Sequence, residues 1–241
     1  MTAPDLSTLA QAAEASYNSH DAPEHYDRVA EHSTPDVSTY RHKVNPHYII
    51  AHRGTDLSGS KDSVGKDLRQ DLRILIGDKS NTDFLKDRTA HTEKVVNAIK
   101  LKEPKSMIHL TGHSLGGHSA QQAMIDSHDV RNKIDSADTF NTGASPFKLG
   151  EPMNKKTEAY KTIAKKTTHH VIEGDDISAG IHHHAIGKIK TYEGTAQPTI
   201  ADKLLSYIKP LAQKSKLGKL AHLGAKRILK TLQSHSLSNF I

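Results

Sequence analysis

The sequence has no cysteine and no tryptophan, and aromatic residues make up only 5% of its 241 residues. The absence of cysteine excludes disulfides, iron–sulfur clusters and thiol catalysis, and it leaves the cellular compartment open. No apolar stretch approaches the roughly 20 residues of a membrane-spanning helix, and the first residues lack the basic and apolar regions of a signal peptide. We therefore expect a soluble chain that forms one domain with a modest, aliphatic core.

Positive charge is concentrated near the C-terminus. The formal net charge is +6, but residues 200–232 contain eight lysines and arginines against one acid, so the rest of the chain is close to neutral. Leucine and isoleucine recur through this segment, which predicts one or two basic amphipathic helices. Such a helix packs on the core with a solvated lysine face, or it contacts an anionic membrane; contact with nucleic acid is not expected.

Histidine is unusually frequent, with 18 residues in the chain. Two clusters stand out, His169–His170 and His182–His184. Histidine-rich tracts can bind zinc, but these clusters have no defined ligand spacing, so we expect solvated loops and no metal site. The surface potential should still change between about pH 7 and pH 5, where histidine becomes protonated.

Strand-like and helix-like segments alternate along the chain, which indicates an α/β fold with a mostly parallel sheet flanked by helices. Helices are predicted at residues 5–17 and 82–101. Strands are predicted at 37–43, 47–52, 106–110, from 139 onward, and at 168–178, where the strand ends in acids. Residues 18–36 are predicted as a loop with one short helical turn, residues 155–167 as a lysine-rich solvated segment, and residues 179–199 as a mobile loop or a short hairpin.

Residues 111–117, with the sequence TGHSLGG, connect a predicted strand to a predicted helix. A strand, the pattern G-x-S-x-G and a helix together form the nucleophile elbow of serine hydrolases. Ser114 would lie on the sharp turn, and Gly112 and Gly116 would leave room for the neighbouring strand and helix. The Leu115 N–H, at the start of the helix, would donate to an oxyanion. From this motif alone, a glycine-rich turn with a bystander serine is the alternative.

The remaining groups of a catalytic triad follow in the order that α/β hydrolases use, which is serine, then acid, then histidine. Asp175 and Asp176 end a predicted strand, where a catalytic acid would lie, and His235 is close to the C-terminus. Upstream, a predicted strand runs into Arg53-Gly54-Thr55, and the Thr55 N–H would supply the second oxyanion donor.

These motifs together resemble class 3 lipases, especially small members from viruses and bacteria. The resemblance rests on R-G-T-D, G-H-S-L-G-G, F-N-x-G-x-x-P, G-D-x-I-S and H-S-L-x-N-F, and runs from about residue 6 to the last residue. It implies an α/β-hydrolase fold, an acyl-enzyme on Ser114, an oxyanion hole from Thr55 and Leu115, and a lid at about 56–80. The family's spacing selects Asp175 as the acid, with Asp176 as the alternative.

The chain departs from the family in two places. His52 stands where the family usually has phenylalanine, and the presumed lid contains no tryptophan for membrane anchoring. Contact with an anionic membrane would therefore fall to residues 200–232. The viral character of the resemblance adds a virus particle to the cytoplasm as an expected location.

The sequence thus predicts a serine hydrolase of lipid carboxylic esters, phospholipase A-like or an acylglycerol lipase, with the triad Ser114, Asp175 and His235. This chemistry needs no cofactor. The alternatives are a non-lipid carboxylesterase or transacylase, a peptidase with the same triad, and an inactive hydrolase scaffold that serves as a binding or structural module.

Overall fold

A computed structural model of the protein describes residues 3–18, 21–54, 83–142, 153–173, 185–193 and Phe240. These residues form one seven-stranded sheet with flanking helices. The strands are β1 (Tyr26–Arg28), β2 (Val37–His42), β3 (His47–His52), β4 (Met107–His113), β5 (Ser136–Phe140), β6 (Thr167–Ile172) and β7 (Lys188–Tyr192). The α-helices are α1 (Leu6–Ala15), α2 (Asp83–Lys102), α3 (Leu115–Asp126), α4 (His128–Lys133) and α5 (Glu158–Lys166), and a 3-10 turn spans Ala30–His32.

The strands lie in the sheet in chain order, from β1 at one edge to β7 at the other. The pairs β1–β2 and β2–β3 are antiparallel, and the pairs from β3 to β7 are parallel. A parallel pair needs a crossover connection, and the helices between the parallel strands belong to these crossovers. The predicted α/β fold with a mostly parallel sheet is therefore confirmed.

Helices cover both faces of the sheet. Helices α2, α3, α4 and α5 contribute side chains to one core cluster with one face, and α1 forms a second cluster with the other face. Strand β3 shows how the sequence divides between them: Tyr48 and Ile50 join the first cluster, and Ile49 and Ala51 join the second. A strand whose two faces are both covered by helices has apolar side chains on both faces, as is usual in parallel sheets.

Short polar side chains begin three of the helices. Asp5 Oδ1 accepts the Thr8 N–H at 2.8 Å before α1, Ser127 Oγ accepts the Val130 N–H at 3.1 Å before α4, and Thr157 Oγ1 accepts the Tyr160 N–H at 3.2 Å before α5. Each bond satisfies one N–H that has no acceptor within its helix. The predicted N-terminal helix over 5–17 is confirmed, with Leu6–Ala15 as its bounds.

Three polar segments that the sequence predicted as loops or as a solvated segment contain regular structure. Strand β1 and the 3-10 turn lie within 18–36, α5 lies within 155–167, and β7 lies within 179–199, where it pairs in parallel with β6. The helix α5 is mostly polar but buries Ile163 in the core. These elements depend on pairing or packing with distant parts of the chain, which local composition does not reveal.

Several predictions fall outside the described residues. They concern the lid at about 56–80, the basic segment 200–232, the cluster His182–His184, and the site residues Thr55, Asp175, Asp176 and His235. Within the described ranges, no helix combines the length and the apolar character needed to cross a membrane.

Candidate active site

Ser114 occupies the junction between β4 and α3 in a strained backbone conformation. Its φ is 55° and its ψ is −122°, which lies outside the regions that side-chain-bearing residues normally adopt. Such a conformation costs about 1–3 kcal/mol and persists only where the surroundings impose it. The Ser114 N–H donates to the carbonyl of Phe140 on β5 at 2.9 Å, which fastens the turn to the neighbouring strand. This is the sharp strand-to-helix turn that the sequence predicted.

The two glycines that flank the serine allow backbone segments to approach each other. A Cβ on Gly112 would collide with the backbone of Gly116 and Gly117, and a Cβ on Gly116 would collide with the carbonyl of His52 at the end of β3. These are main-chain atoms, so no side-chain rotation could relieve the collision. The glycines at these positions therefore have the packing role that the motif predicted.

The N-terminus of α3 points backbone donors at the same place. The first helical bond runs from the His118 N–H to the Ser114 carbonyl at 3.2 Å, so the N–H groups of residues 115–117 precede the first acceptor of the helix. The helix is 12 residues long, and its N-terminal dipole favours a negative charge. The position of Leu115 is thus compatible with its predicted role as an oxyanion donor.

Buried Arg88 on α2 fixes the chain where β3 ends. Its Nη1 donates to the carbonyl of Arg53 at 2.7 Å, and its Nη2 pairs with Asp36 Oδ1 at 3.0 Å. The Arg53 N–H in turn donates to the Asp36 carbonyl at 2.9 Å. The guanidinium also lies 5.2 Å from the centre of the Phe84 ring, within the range of a cation–π contact. This Arg88 bridge holds the residues that lead to Thr55, and the sequence analysis did not identify it.

Asn141 performs a similar function at the next strand ends. It has a positive φ of 41°, its N–H donates to the His170 carbonyl at 2.8 Å, and its Oδ1 accepts the Ile172 N–H at 2.9 Å. Asparagine tolerates this backbone region better than most residues. The Asn of the F-N-x-G motif therefore ties the end of β5 to the end of β6, three residues before Asp175.

Tyr17, just after α1, contacts the turn from the opposite face of the sheet. Its hydroxyl lies 3.1 Å from His113 Nδ1, and it also packs against Gly54, where a Cβ would collide with it. The end of α1, the end of β3 and the residue before the nucleophile therefore meet at one point.

His52, at the end of β3, is fully buried and has both ring nitrogens paired. Thr92 Oγ1 donates to the Arg88 carbonyl at 2.7 Å, so it accepts from His52 Nε2 at 3.0 Å, and Ser119 Oγ donates to His52 Nδ1 at 2.7 Å. Burial, with smaller contributions from Arg88 and His91, lowers the pKa of His52 to about 3. The imidazole is therefore neutral and connects β3 to α2 and α3.

The cluster His169–His170 lies inside β6, which confirms the strand predicted from residue 168 onward and corrects the solvated loop expected for the two histidines. His169 Nδ1 lies 2.8 Å from Thr139 Oγ1, and burial lowers its pKa to about 4. Alternation along the strand sends the two side chains to opposite faces of the sheet, where each meets polar groups of other strands. Among the described residues, no three histidine, aspartate or glutamate side chains are arranged to hold a metal ion.

On the other face, His170 is the centre of a polar array across three strands. Its Nε2 lies 3.0 Å from Asp138 Oδ1 on β5, and its Nδ1 lies 2.8 Å from the Tyr192 hydroxyl on β7. The ring stacks on Phe140 with 5.2 Å between centroids. We call this set the Asp138–His170–Tyr192 array.

Phe240, near the C-terminus, contacts the strand beside the elbow. Its ring centroid lies 4.9 Å from that of Phe140 and 5.7 Å from that of Tyr192. Because the Phe140 carbonyl accepts the Ser114 N–H, the contact brings the end of the chain to the strand beside the nucleophile. Phe240 follows His235 by five residues.

Of the predicted site residues, the described part of the chain includes two, Ser114 and Leu115, which are adjacent at the elbow. Ser114 is 6% exposed. A serine at positive φ between a parallel strand and a helix N-terminus is the arrangement of the α/β-hydrolase fold. The protein therefore has that fold.

Comparisons with known proteins found similarity among solved structures. No family model and no curated protein matches the sequence. Among solved structures, the Rhizomucor miehei lipase–propeptide complex is similar over 74% of this chain and 64% of its own, with 14% identity and a TM-score of 0.45. The Yarrowia lipolytica LIP2 lipase is similar over 72% of this chain and 71% of its own, with 16% identity and a TM-score of 0.43. At such values, the chemistry of the site has to be derived from its own residues.

Proposed function

We propose that the protein is a serine hydrolase that cleaves carboxylic esters of lipids through an acyl-enzyme on Ser114. The observation that carries the proposal is the backbone of Ser114, at φ 55° and ψ −122°, on the junction between β4 and the N-terminus of α3. A purely structural turn could place a glycine here without the cost of this conformation. A serine in this position lies beside helix N–H groups that suit an oxyanion.

In the proposed reaction, His235 accepts the Ser114 hydroxyl proton while Ser114 Oγ attacks the ester carbonyl. The N–H groups of Thr55 and Leu115 stabilise the resulting oxyanion. Collapse of the tetrahedral intermediate breaks the ester bond, and His235 protonates the departing alcohol. Water then attacks the acyl-enzyme by the same steps and releases the fatty acid. Asp175, or Asp176 as the alternative acid, orients His235 and stabilises its charged form.

Three contacts among the described residues support this assignment. The Arg88 bridge holds the carbonyl of Arg53, two residues before Thr55. Asn141 holds the N–H of Ile172, three residues before Asp175. Phe240, five residues after His235, packs on Phe140, whose carbonyl binds the Ser114 N–H.

Product analysis on mixed liposomes tests the proposal. We expect the wild type to release free fatty acids and Ser114→Ala to lose this activity by at least about 1,000-fold, because the acyl-enzyme cannot form. Gln122→Ala, elsewhere on α3, is the matched control and should keep the activity. A folded wild type that releases no fatty acid, or a Ser114→Ala variant that remains active, would contradict the proposal.

The lipid preference needs its own measurement, because an esterase or transacylase would use the same groups. A chain-length series of p-nitrophenyl esters should show a rising kcat/KM toward long acyl chains. Activity confined to acetate or butyrate would instead identify a non-lipid carboxylesterase.

Contact with membranes through 200–232 is part of the proposal and rests on the charge of that segment. Sedimentation with liposomes, with and without phosphatidylserine, measures it. Stronger binding to the anionic liposomes is expected, and binding that is indifferent to anionic lipid would exclude this contact.

A further inference from the structure

A polar pocket of about 490 Å³ lies beside the elbow and has two arginines in its walls, Arg28 and Arg53. The rest of the lining comes from residues that follow α1 and from the segment around the start of β2, including Tyr17 and Thr34. The volume lies within the range of small-molecule sites. We call it the Arg28–Arg53 pocket.

The positive charge of this pocket is not neutralised by the described part of the chain. Neither arginine forms an ion pair there, and the Nε atoms of both are buried without a hydrogen-bond partner. The side chain of Arg28 makes one long contact of 3.5 Å, to the Thr34 carbonyl. The neighbouring acid Asp36 is already bound to Arg88. A buried N–H of a charged group that has no acceptor raises the free energy of the folded protein. An anion bound in the pocket would supply acceptors and balance the charge.

The pocket adjoins the nucleophile through shared residues. Tyr17 lines the pocket, and its hydroxyl lies 3.1 Å from Nδ1 of His113, the residue before Ser114. Arg53 precedes Gly54, which packs against the same Tyr17. The carbonyl of His52, the residue before Arg53, faces Gly116 at the elbow. A group bound in the pocket is therefore close enough to belong to a molecule whose ester lies at Ser114.

We propose that the Arg28–Arg53 pocket binds a terminal phosphate monoester of the ester substrate, so that the preferred substrate is a phospholipid of the phosphatidic acid type and not a neutral acylglycerol. This inference rests on the proposed hydrolase function of Ser114. A phosphate monoester carries nearly two negative charges and three acceptor oxygens, which match two guanidiniums with forked N–H donors. A single carboxylate would leave one of the two positive charges uncompensated.

The test compares short-chain esters that differ only in the head group. We would measure kcat/KM for dispersed dihexanoyl phosphatidic acid and dihexanoylglycerol, and take the ratio of the two. The variants Arg28→Gln and Arg53→Gln should each lower this ratio about tenfold, and the double variant about a hundredfold, because each removes a charged hydrogen-bond donor. Arg53→Gln keeps the backbone bonds of Arg53 to Asp36 and Arg88. Lys161→Gln, which removes an exposed charge on α5, is the control and should leave the ratio unchanged.

A direct binding measurement tests the phosphate site without relying on hydrolysis, and the use of folded protein excludes loss of folding as the cause of weak binding. Glycerol 3-phosphate and inorganic phosphate would each be titrated into folded Ser114→Ala protein, with and without Arg53→Gln. If Arg53→Gln weakens the binding of glycerol 3-phosphate at least tenfold, the phosphate site is supported, even where no ester is hydrolysed. The lack of hydrolysis would then contradict only the proposed hydrolase function. An unchanged specificity ratio in the folded double variant would overturn the inference. The inference would also be overturned if inorganic phosphate binds as tightly as glycerol 3-phosphate and the specificity ratio is unchanged in the variants. The pocket would then be a site for free anions.

Discussion

Two parts of the sheet hold side chains that serine hydrolases use, the elbow at Ser114 and the Asp138–His170–Tyr192 array. At the elbow the backbone adopts a φ of 55°, and the following helix begins with N–H groups that precede its first acceptor. In the array, His170 lies within a regular parallel strand, its side chain is 3% exposed, and both ring nitrogens have partners.

The difference shows that residue type alone does not define a reactive site. An imidazole whose two nitrogens are bound within the protein has no position left for a substrate proton, so the array serves as a cross-link between β5, β6 and β7. The serine gains its candidate role from backbone strain and from donors that remain available to an oxyanion. Of the four changes that follow, two alter the elbow, one alters the array, and one alters His52 at the end of β3.

Gly116→Ala should have the largest effect, because the new Cβ collides with the His52 carbonyl and forces β3 away from α3. We expect ester hydrolysis to fall at least about 100-fold and stability to fall by about 3 kcal/mol, the upper end for overpacking. Urea denaturation and kcat/KM measure the two effects, with Gln122→Ala on the same helix as the control. Full activity in this variant would show that the close contact between β3 and α3 is not needed.

His170→Ala should destabilise the protein by about 3 kcal/mol, since it leaves a cavity and removes the partners of Asp138 and Tyr192. The rate of hydrolysis by the folded fraction should stay within a few-fold of the wild type. Asp138→Asn keeps the shape of the array and should cost less. A folded His170→Ala protein without activity would mean that the array takes part in catalysis.

The free energy of unfolding should decrease as the pH falls, partly because of His52 and His169. Their pKa values are lowered to about 3 and about 4, so the unfolded chain binds protons below about pH 6.5 that the folded chain does not bind. Their contribution is fully present above pH 6.5 and is lost as the pH falls toward the folded pKa values. His52→Phe removes one of these groups, and its stability loss between pH 7 and 5 should be smaller than that of the wild type by about 2 kcal/mol. Exposed His128→Gln is the control, and an equal loss in His52→Phe and wild type would show that His52 does not titrate this way.

Ser114→Gly should raise stability by about 1 kcal/mol, because glycine adopts the positive φ without strain. Ser114→Ala also removes the hydroxyl but keeps a Cβ, so it should show no such gain. Urea midpoints of the two variants measure the difference. Equal midpoints would mean that the elbow does not store strain at this residue.

The sequence predicted the elbow well because its determinants are local. A strand, two glycines and a helix within residues 106–126 specify the turn, and the structure places Ser114 at its centre. The mostly parallel sheet was also predictable, from apolar strands such as β3 that alternate with helical patterns.

The supporting contacts were not predictable because they join residues far apart in the chain. Arg88 and Asp36 are 52 positions apart, and Asn141 and Ile172 are 31 positions apart. An arginine within a helix of mixed polarity looks like a solvated charge until the fold brings a carboxylate and a carbonyl to it. The same holds for His169 and His170, which the sequence placed in a strand but whose partners on β5 and β7, which make them part of the core, it did not reveal.

The most direct test of the central claim is covalent labelling with a fluorophosphonate probe, followed by mass mapping of the modified peptide. Such probes react with an activated serine hydroxyl, which only a working elbow provides. The account predicts one adduct, on Ser114, that is absent from Ser114→Ala and retained in His170→Ala. A folded wild type that forms no adduct, or an adduct that persists in Ser114→Ala, would contradict it.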